Sequence, residues 1–450
     1  MIKQIKYFGI IFLLVFLSNC SFDNKTGIWS GSKEEKERLA DLERQQKSIL
    51  ETINVYSSDK KFKKEISALI NAKLTTTKKN ISWEMAGSNL QNYTVNNHLN
   101  GIQNVFLKKK IGKNKFSISK LISSPIIFDD NIIFSDDKGN IFNINEKGKI
   151  KWKKNVYKKL YKKIYKNLTF TIYNDNVYVA DNVGFFYALN LRNGKLLWLK
   201  NQGVSFRSKI KIYENKIFLV DQDNRIYCFN TETGSKIWDI RSISTFIKSQ
   251  GYLGLAISRS GILFTLNSTG DLIKINPSTG ETYWSLNTTG SMSVTDSDFF
   301  LSSDIVIDGE NIFFGTKSSL ASYNIESGYV NWIKDINTTN SPIINLNNVF
   351  VITDNGFFIN LQKDSGKILW ATNILKILKR KKQNTKITGF ILGSGKVYAT
   401  TLNGYLIVSS ATTGKVESFK KIGETITAPP IINNSSLFIL TENSRIIGFR

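Results

Sequence analysis

Residues that commonly carry catalysis or bind metals are nearly absent from this chain. Its 450 residues include two cysteines, Cys20 and Cys228, and one histidine, His98. Two cysteines cannot build a disulfide framework, and a lone histidine excludes a histidine-cluster metal site and argues against a Ser-His-Asp triad. Glycine-rich phosphate loops are also missing, because the Gly-Ser-Gly at 393–395 fits a turn between two strands. The composition therefore predicts a protein without enzymatic activity, cofactor or metal.

The surroundings of two of these rare residues predict structural positions for them. Cys228 stands alone in the apolar stretch Ile226–Phe229, which favours a buried thiol. His98 lies in an asparagine-rich stretch, which is typical of a surface or turn position.

The N-terminal apolar run is too short to span a membrane. Tyr7–Leu17 is about eleven residues long, whereas ~30 Å of hydrocarbon needs about 20. With Lys3 and Lys6 before it, the run is typical of a secretory signal peptide. It ends in Leu17-Ser18-Asn19-Cys20, which resembles the lipobox of bacterial lipoproteins, although those sequences prefer Gly, Ala or Ser where this chain has Asn19. An ordinary signal peptide with a chance cysteine is the alternative.

The lipobox resemblance implies the location of the mature chain. Residues 1–19 would be removed, and Cys20 would become the first residue and carry diacylglycerol and palmitate. Ser21 is not the aspartate that retains many lipoproteins at the inner membrane, so by analogy the anchor lies in the outer membrane, on its periplasmic face.

The chain has a large excess of positive charge. Lys and Arg outnumber Asp and Glu by 61 to 36, a formal net charge of +25. Such surfaces bind nucleic acid, anionic lipid or acidic polysaccharide, although AT-rich codons would also raise the lysine content. Residues 151–166 hold eight lysines and 376–386 hold six basic residues, and neither segment has an acid. We expect both segments on one face of the molecule, where they either face anionic lipid or are simply solvated. We expect no nucleic-acid partner.

Residues 20–80 are predicted to link the lipid anchor to the body of the protein. They show no strand-like alternation, but a charged helical stretch opens at Glu34 and continues with a narrow apolar stripe that includes Leu39 and Leu42. This helix either docks on a partner or forms a solvated stalk, and we favour the stalk.

A repeated Gly-x-x-x-Trp motif dominates the remainder of the chain. Successive glycines lie 38 to 48 residues apart, and a seventh copy at Gly414–Phe419 has lost its tryptophan. Six of the eight tryptophans occupy this one position, namely Trp152, Trp198, Trp238, Trp284, Trp332 and Trp370. A recurring indole of this kind is predicted to pack between neighbouring units, and not to hold a cofactor.

Each repeat contains four short strands. In residues 341–370, four apolar runs are separated by short turns in which Asn-Gly and Ser-Gly supply positive φ. Four strands repeated every 38 to 48 residues are typical of β-propeller blades. The fold class is therefore all-β, with four-stranded antiparallel blades.

The number of strands predicts how the ring closes. After the seventh repeat, residues 429–450 supply three strands, so the fourth must come from the N-terminal side. Val105-Phe106-Leu107 is the candidate, with Phe106 in the place of the tryptophan. This gives an eight-bladed propeller over residues 81–450 without a free sheet edge.

Gly-x-x-x-Trp blades behind a lipobox resemble the PQQ-like repeat family, and within it the BamB family of outer-membrane lipoproteins. That resemblance implies a scaffold of the β-barrel assembly machinery, with BamA, other assembly subunits and unfolded outer-membrane proteins as partners. It also implies that BamA docks on the loops after the third and fourth blades, here residues 239–251 and 285–300. The expected contact residues are Phe246, Ile247, Gln250 (where the family has an arginine), Asp296 and Asp298.

Two other functions fit the same repeat. PQQ-dependent quinoprotein dehydrogenases share the blades but hold their quinone against adjacent cysteines, which this chain lacks. A polysaccharide-binding propeller would need exposed aromatic side chains, whereas most tryptophans here are assigned to blade packing.

Overall fold

β-Strands make up nearly all the regular structure. The computed structural model describes residues 33–52, 62–68, 70–113, 123–242, 251–291, 301–382 and 385–450. Helix α1 covers Lys33–Thr52, and three short 3-10 helices cover Lys159–Lys163, Thr288–Ser291 and Ile374–Lys382. In this described part of the chain, no helix has the length and apolarity needed to cross a membrane.

The strands form eight antiparallel sheets, which are the blades of a propeller. Two strands precede the first blade in sequence, β1 (Ser82–Trp83) and β2 (Val105–Lys110). Blades 1 to 4 contain β3 (Ile126–Phe128), β4 (Asn131–Ser135), β5 (Ile141–Ile144), β6 (Ile150–Lys154); β7 (Leu168–Tyr173), β8 (Asn176–Asp181), β9 (Phe185–Asn190), β10 (Leu196–Asn201); β11 (Lys211–Tyr213), β12 (Lys216–Val220), β13 (Arg225–Asn230), β14 (Lys236–Arg241); β15 (Gly254–Ile257), β16 (Leu263–Leu266), β17 (Asp271–Ile275) and β18 (Thr282–Asn287).

The second half of the ring repeats this arrangement. Blades 5 to 8 contain β19 (Val306–Asp308), β20 (Asn311–Gly315), β21 (Leu320–Asn324), β22 (Val330–Lys334); β23 (Ile343–Asn345), β24 (Asn348–Ile352), β25 (Phe357–Gln362), β26 (Ile368–Asn373); β27 (Ile387–Gly393), β28 (Lys396–Thr401), β29 (Tyr405–Ser410), β30 (Val416–Lys421); β31 (Ile431–Asn433), β32 (Ser436–Leu440) and β33 (Arg445–Phe449), with β2 as the outer strand of blade 8. The predicted eight-bladed fold is confirmed.

Each blade runs from an inner strand near the ring axis to an outer strand at the perimeter. Because the strands are antiparallel, the turns after the inner and third strands lie on one face of the ring. The turns after the second and outer strands lie on the other. We call the face with the turns after the second and outer strands the loop face, because it carries the connections between successive blades.

The repeat tryptophans lie at the contacts between blades. Each indole packs on the motif glycine of the next blade; a Cβ atom added to Gly194, for example, would lie 2.7 Å from Cδ2 of Trp152. Five of the six indole N–H groups donate to a backbone carbonyl of the next blade, over 2.7 to 3.1 Å. Gly194 thus permits both the turn, where its φ is 69°, and the close approach of the Trp152 indole.

The predicted closing strand is present, but its register is shifted by one residue. β2 pairs antiparallel with β33, and a bulge between Val105 and Leu107 sets Leu107 opposite Gly448. Leu107 therefore takes the place of the tryptophan: it is buried and lies against Gly148 of blade 1. Phe106, expected in that place, instead packs edge-on against Phe438 of its own blade, with ring centroids 5.7 Å apart.

Residues 62–68 and 70–104, which we call the strap, bind across the ring before β2. On the loop face the Phe62 ring packs on Phe357, with centroids 5.4 Å apart, and Ile66 exchanges two backbone hydrogen bonds with Ala371 of blade 6. On the opposite face the Ala72 N–H donates to the carbonyl of Thr412. The strap thus runs along the ring from one face to the other.

The strap then touches all eight blades at the ends of their inner strands. Its partners are the backbone or side chains of Ile127, Ile172, Lys211, Ile257, Ile307, Asn345, Ser394 and Asn434, taken from blades 1 to 8 in order. One mouth of the central channel is therefore covered by the chain's own N-terminal segment.

Candidate partner-binding face

The loops expected to dock a partner leave the ring on the loop face. The first follows β14 of blade 3, and the second follows β18 of blade 4. Phe246, Ile247, Gln250, Asp296 and Asp298 themselves lie outside the described residues, as does Cys20.

The starting points of these two loops are held next to each other. Ser242, at the start of the first loop, donates through Oγ to the Asn224 carbonyl of blade 3 (2.9 Å) and accepts from Asn267 Nδ2 of blade 4 (3.1 Å). Thr288, at the start of the second, donates to the Gly270 carbonyl (2.7 Å). Since Asn267 and Gly270 belong to one turn of blade 4, that turn positions both loops.

A charged cluster stiffens the strand that leads into the first loop. The Asp239 carboxylate accepts from Lys236 Nζ (2.6 Å) and from the Arg225 guanidinium. Burial alone would raise the pKa of Asp239, but these two hydrogen bonds lower it below its usual value. The side chain is ionised at neutral pH and ties β14 to β13.

Helix α1 packs on the same face, over blade 2. The Arg38 guanidinium donates to the carbonyls of Val183 (2.8 Å) and Gly203 (3.1 Å), and Glu35 accepts from the Tyr161 hydroxyl (2.6 Å). Leu39 is 5% exposed and belongs to the core of blade 2. The expectation of a solvated stalk is corrected here: the first turns of this helix are bound to the propeller.

Both basic segments also lie on the loop face, as expected. Residues 155–167 fold over blade 2, where Tyr157 packs edge-on against Phe185, with centroids 5.7 Å apart. The second segment begins where the Ile374 N–H donates to the Gly356 carbonyl, in the turn after the second strand of blade 6.

A buried polar cluster supports the first basic segment from below. One oxygen of Asp181 accepts the backbone N–H groups of Val183, Gly184 and Phe185 at 2.8 Å, and the other accepts the Tyr157 hydroxyl. Burial raises the pKa of Asp181 to about 6 and lowers that of neighbouring Lys166 to about 8. The loop is thereby fixed to the ring.

The channel side of blade 3 carries three cations at alternate positions. Lys209 pairs with Asp304 of blade 5, and the Lys211 ammonium donates to strap oxygens of Ala86, Asn89 and Asn92 at 2.6 to 3.1 Å. Arg207 comes first, and its Nε has no hydrogen-bond partner among the described residues. These three cations were not identified from the sequence. Their spacing of two residues, at the start of an inner strand, indicates side chains that point to the same side of the strand.

Side chains from distant blades meet inside the channel. The Tyr252 hydroxyl of blade 4 lies 2.9 Å from Ser123 Oγ of blade 1 and accepts from Asn167 Nδ2 of blade 2. These contacts link side chains of blades 1, 2 and 4 to one another. Among the described residues no cluster of His, Cys, Asp and Glu could hold a metal ion.

Cys228 and His98 lie where their surroundings in the sequence predict. Cys228 is fully buried, and burial raises the pKa of its thiol to about 12, so it stays protonated. His98 is exposed on the strap, with Nδ1 2.9 Å from Ser435 Oγ.

Known proteins resemble this chain in sequence and in fold. The family model described as outer membrane protein assembly factor BamB matches residues 108–203 and 137–372, more than half of the chain. The outer membrane protein assembly factor BamB of Yersinia pestis is 18% identical over 278 residues, which cover 61% of this chain and 69% of that protein.

Solved structures agree on the propeller. BamB from Moraxella catarrhalis superposes with a TM-score of 0.60 at 12% identity, covering 76% of this chain and all of the other. A europium-containing methanol dehydrogenase gives the same TM-score at 11% identity, covering 80% of this chain and 89% of its own. At such identities the likeness to either structure establishes the fold alone.

Proposed function

Because the chain belongs to the family of outer membrane protein assembly factor BamB, we propose that it is a non-enzymatic scaffold of the outer-membrane β-barrel assembly machinery. Its partners would be BamA and the other assembly subunits, and its clients unfolded outer-membrane proteins. In this proposal Cys20 carries the lipid that holds the chain on the periplasmic face of the outer membrane.

One observation on the loop face carries the proposal. A single turn of blade 4 holds the starting points of both long loops, through Asn267 and Gly270. Two loops that start together on a rigid ring can form one composite surface, which is where partner contacts concentrate. The dehydrogenase alternative would need adjacent cysteines against the quinone, whereas the two cysteines of this chain, Cys20 and Cys228, are far apart in sequence.

Within this surface, Ile247 and Phe246 would supply the apolar anchor. Burying an exposed isoleucine contributes ~1.5–3 kcal/mol if it is fully covered. Asp296 and Asp298 would set orientation and association rate on an otherwise basic protein. Gln250 stands where the family has an arginine, and Lys248 could replace its charge but not its forked geometry.

Co-purification with BamA from native membranes tests the assignment. Ile247→Asp and an Asp296/Asp298 double alanine should each reduce recovery of BamA while leaving thermal unfolding unchanged. Tyr329→Asp is a matched control, because Tyr329 is 78% exposed at a turn on the opposite face. Recovery at the wild-type level by both loop variants would place docking elsewhere on the molecule.

A further inference from the structure

A strongly basic surface among the described residues lies on blades 8 and 1 and continues onto the loop face. Residues 105–113 and 146–163 contain 13 lysines and a single acid, Glu146. That acid pairs with Arg450 at 3.6 Å. We call this surface the lysine stripe.

The lysine stripe is continuous in space. The turn before β6 packs on β2, since a Cβ atom on Gly148 would lie 2.8 Å from Cδ of Lys109. β6 then leads to the loop face, where the 3-10 helix Lys159–Lys163 continues the stripe. Lys108, Lys109 and Lys110 are all exposed, so the outer strand of blade 8 presents a row of charge.

The loop-face end of the stripe presents its charges around an apolar side chain. Leu160 is 40% exposed and lies between Lys158-Lys159 and Lys162-Lys163. Tyr161 beneath it is buried, packs edge-on against Phe185 with centroids 5.1 Å apart, and donates to Glu35. The segment is therefore fixed to the ring from below.

From this arrangement we propose that the lysine stripe docks on the anionic phospholipid surface of the bilayer that anchors the chain. The proposal rests on the proposed function in one respect, the lipid on Cys20. Twelve residues separate Cys20 from Lys33, the first residue of α1. Even fully extended they span only about 45 Å, at ~3.3–3.6 Å per residue.

The short segment between Cys20 and α1 keeps the loop-face end of the stripe close to the bilayer. α1 is fixed to the ring by Arg38, and its Glu35 bonds directly to Tyr161 inside the basic segment. The lipid-bearing end of the chain therefore leaves the propeller beside Lys158–Lys163. A surface this close to the headgroups gains attraction from each lysine that faces them.

The chemistry of the stripe favours lipid over a protein partner. All 13 of its cations are lysines, which act as point charges, whereas protein interfaces are depleted in lysine and enriched in arginine and aromatic residues. An apolar side chain flanked by lysines suits the boundary between headgroups and acyl chains.

Vesicle sedimentation tests the proposal. The protein would be the mature chain without its lipid, residues 21–450, which retains every described contact because these begin at Lys33. The probes are vesicles of phosphatidylcholine alone and of phosphatidylcholine with 30% phosphatidylglycerol. We expect binding to the anionic vesicles only, with more than a tenfold loss between 50 and 500 mM salt, which screens such contacts.

Two charge-matched variants locate the contact. Replacing Lys158, Lys159, Lys162 and Lys163 by glutamine should lower binding to anionic vesicles at least tenfold. A control quadruple glutamine variant at Lys73, Lys195, Lys367 and Lys415, exposed lysines beside turns of the opposite face, should stay within twofold of the wild type. Equal losses in both variants, or wild-type binding by the first, would overturn the proposal.

A detergent pull-down separates this proposal from the scaffold function. With the lipid anchor intact and the bilayer dissolved, the stripe variant should recover BamA at the wild-type level. Loss of BamA without loss of vesicle binding would show that the stripe contacts protein, which overturns the lipid proposal and leaves the scaffold proposal standing. Salt-insensitive binding to both kinds of vesicle would also overturn it.

Discussion

The contact between glycine and indole explains why two residue types repeat along this chain. The glycine permits a turn with positive φ. At five of the six junctions it also permits the close approach of the indole of the preceding blade, since an added Cβ atom would lie 2.6 to 2.8 Å from that indole. The tryptophan is needed because its N–H satisfies a backbone carbonyl of the next blade while its ring fills the space between sheets. One short motif therefore determines both the hairpin and the packing between blades.

Two of these tryptophans differ in a way that isolates the hydrogen bond. Trp332 donates to the Lys363 carbonyl at 2.7 Å, whereas Trp370 Nε1 has no described acceptor, and both side chains are at most 6% exposed. We expect Trp332→Phe to cost ~0.5–1.5 kcal/mol more than Trp370→Phe. Chemical denaturation of both variants measures the difference, and equal costs would show that ring packing alone matters.

The buried carboxyl of Asp181 makes stability depend on pH. Its pKa is raised to about 6 from the usual 3.8, so the folded state holds the proton more tightly than the unfolded state. The stabilisation that this gives is complete below pH 3.8 and is lost as the pH rises through 6. At ~1.4 kcal/mol per pKa unit it amounts to ~3 kcal/mol at most.

Replacing that carboxyl with an amide should remove this dependence. Asp181→Asn keeps an oxygen for the three backbone N–H groups, so the fold should be preserved. Thermal unfolding from pH 4 to 7 should show a smaller decline for the variant than for the wild type. Parallel curves for the two proteins would mean that other groups cause the decline.

At the scale of strands and helices, the sequence predicts what repeats and misses what occurs once. The strands of blade 6 agree closely with the predicted apolar runs in residues 341–370, because two of its three turns carry an Asn-Gly or a Ser-Gly. β2 has no motif glycine before it, since its partner β33 lies at the other end of the chain. The pairing register of β2 therefore could not be read from the sequence, which predicts Phe106 at the position that Leu107 occupies.

Helix α1 shows a second limit of sequence reasoning. The spacing of Leu39 and Leu42 predicts an apolar stripe, but periodicity does not say what covers it. Its binding to blade 2 depends on Arg38 reaching two loop carbonyls that are 145 and 165 residues away in sequence. Contacts of that separation leave no local pattern.

The corrected register makes a specific prediction for the closing strand. Leu107 is 3% exposed at the junction of blades 8 and 1, whereas Val105 in the same strand is 44% exposed. Leu107→Asp should destabilise the protein by at least ~3 kcal/mol, because it buries an unpaired charge. Val105→Asp should change stability by less than ~0.5 kcal/mol. Thermal unfolding of the two variants measures the difference. Similar losses of stability would show that Phe106, and not Leu107, lies at the junction.

At the scale of the whole molecule, the ring is closed twice. β2 closes blade 8 at the perimeter, and the strap joins all eight blades at one mouth of the channel. The first closure could be predicted by counting strands. The strap could not, because it is asparagine-rich and without periodicity, and its backbone and amide side chains bond to separate blades. Asn92, for example, donates to the carbonyls of Leu255 (3.0 Å) and Ile305 (2.8 Å).

A ring closed in this way should unfold as a unit, and removing its last strand tests that. Deleting Arg445–Arg450 removes the strand between β32 and β2, and with it the buried side chains of Ile446, Ile447 and Phe449. At ~1.5–3 kcal/mol each, their burial contributes ~5–9 kcal/mol. The deletion also leaves β2 without β33, the one strand it pairs with in the described part of the chain. Because every blade packs on two neighbours, we expect one cooperative calorimetric transition, shifted down by ~10 °C. The strap still links blade 8 to the others, so the loss should be shared around the ring. Two separate transitions, or an unchanged midpoint, would show that the blades are independent of the closure.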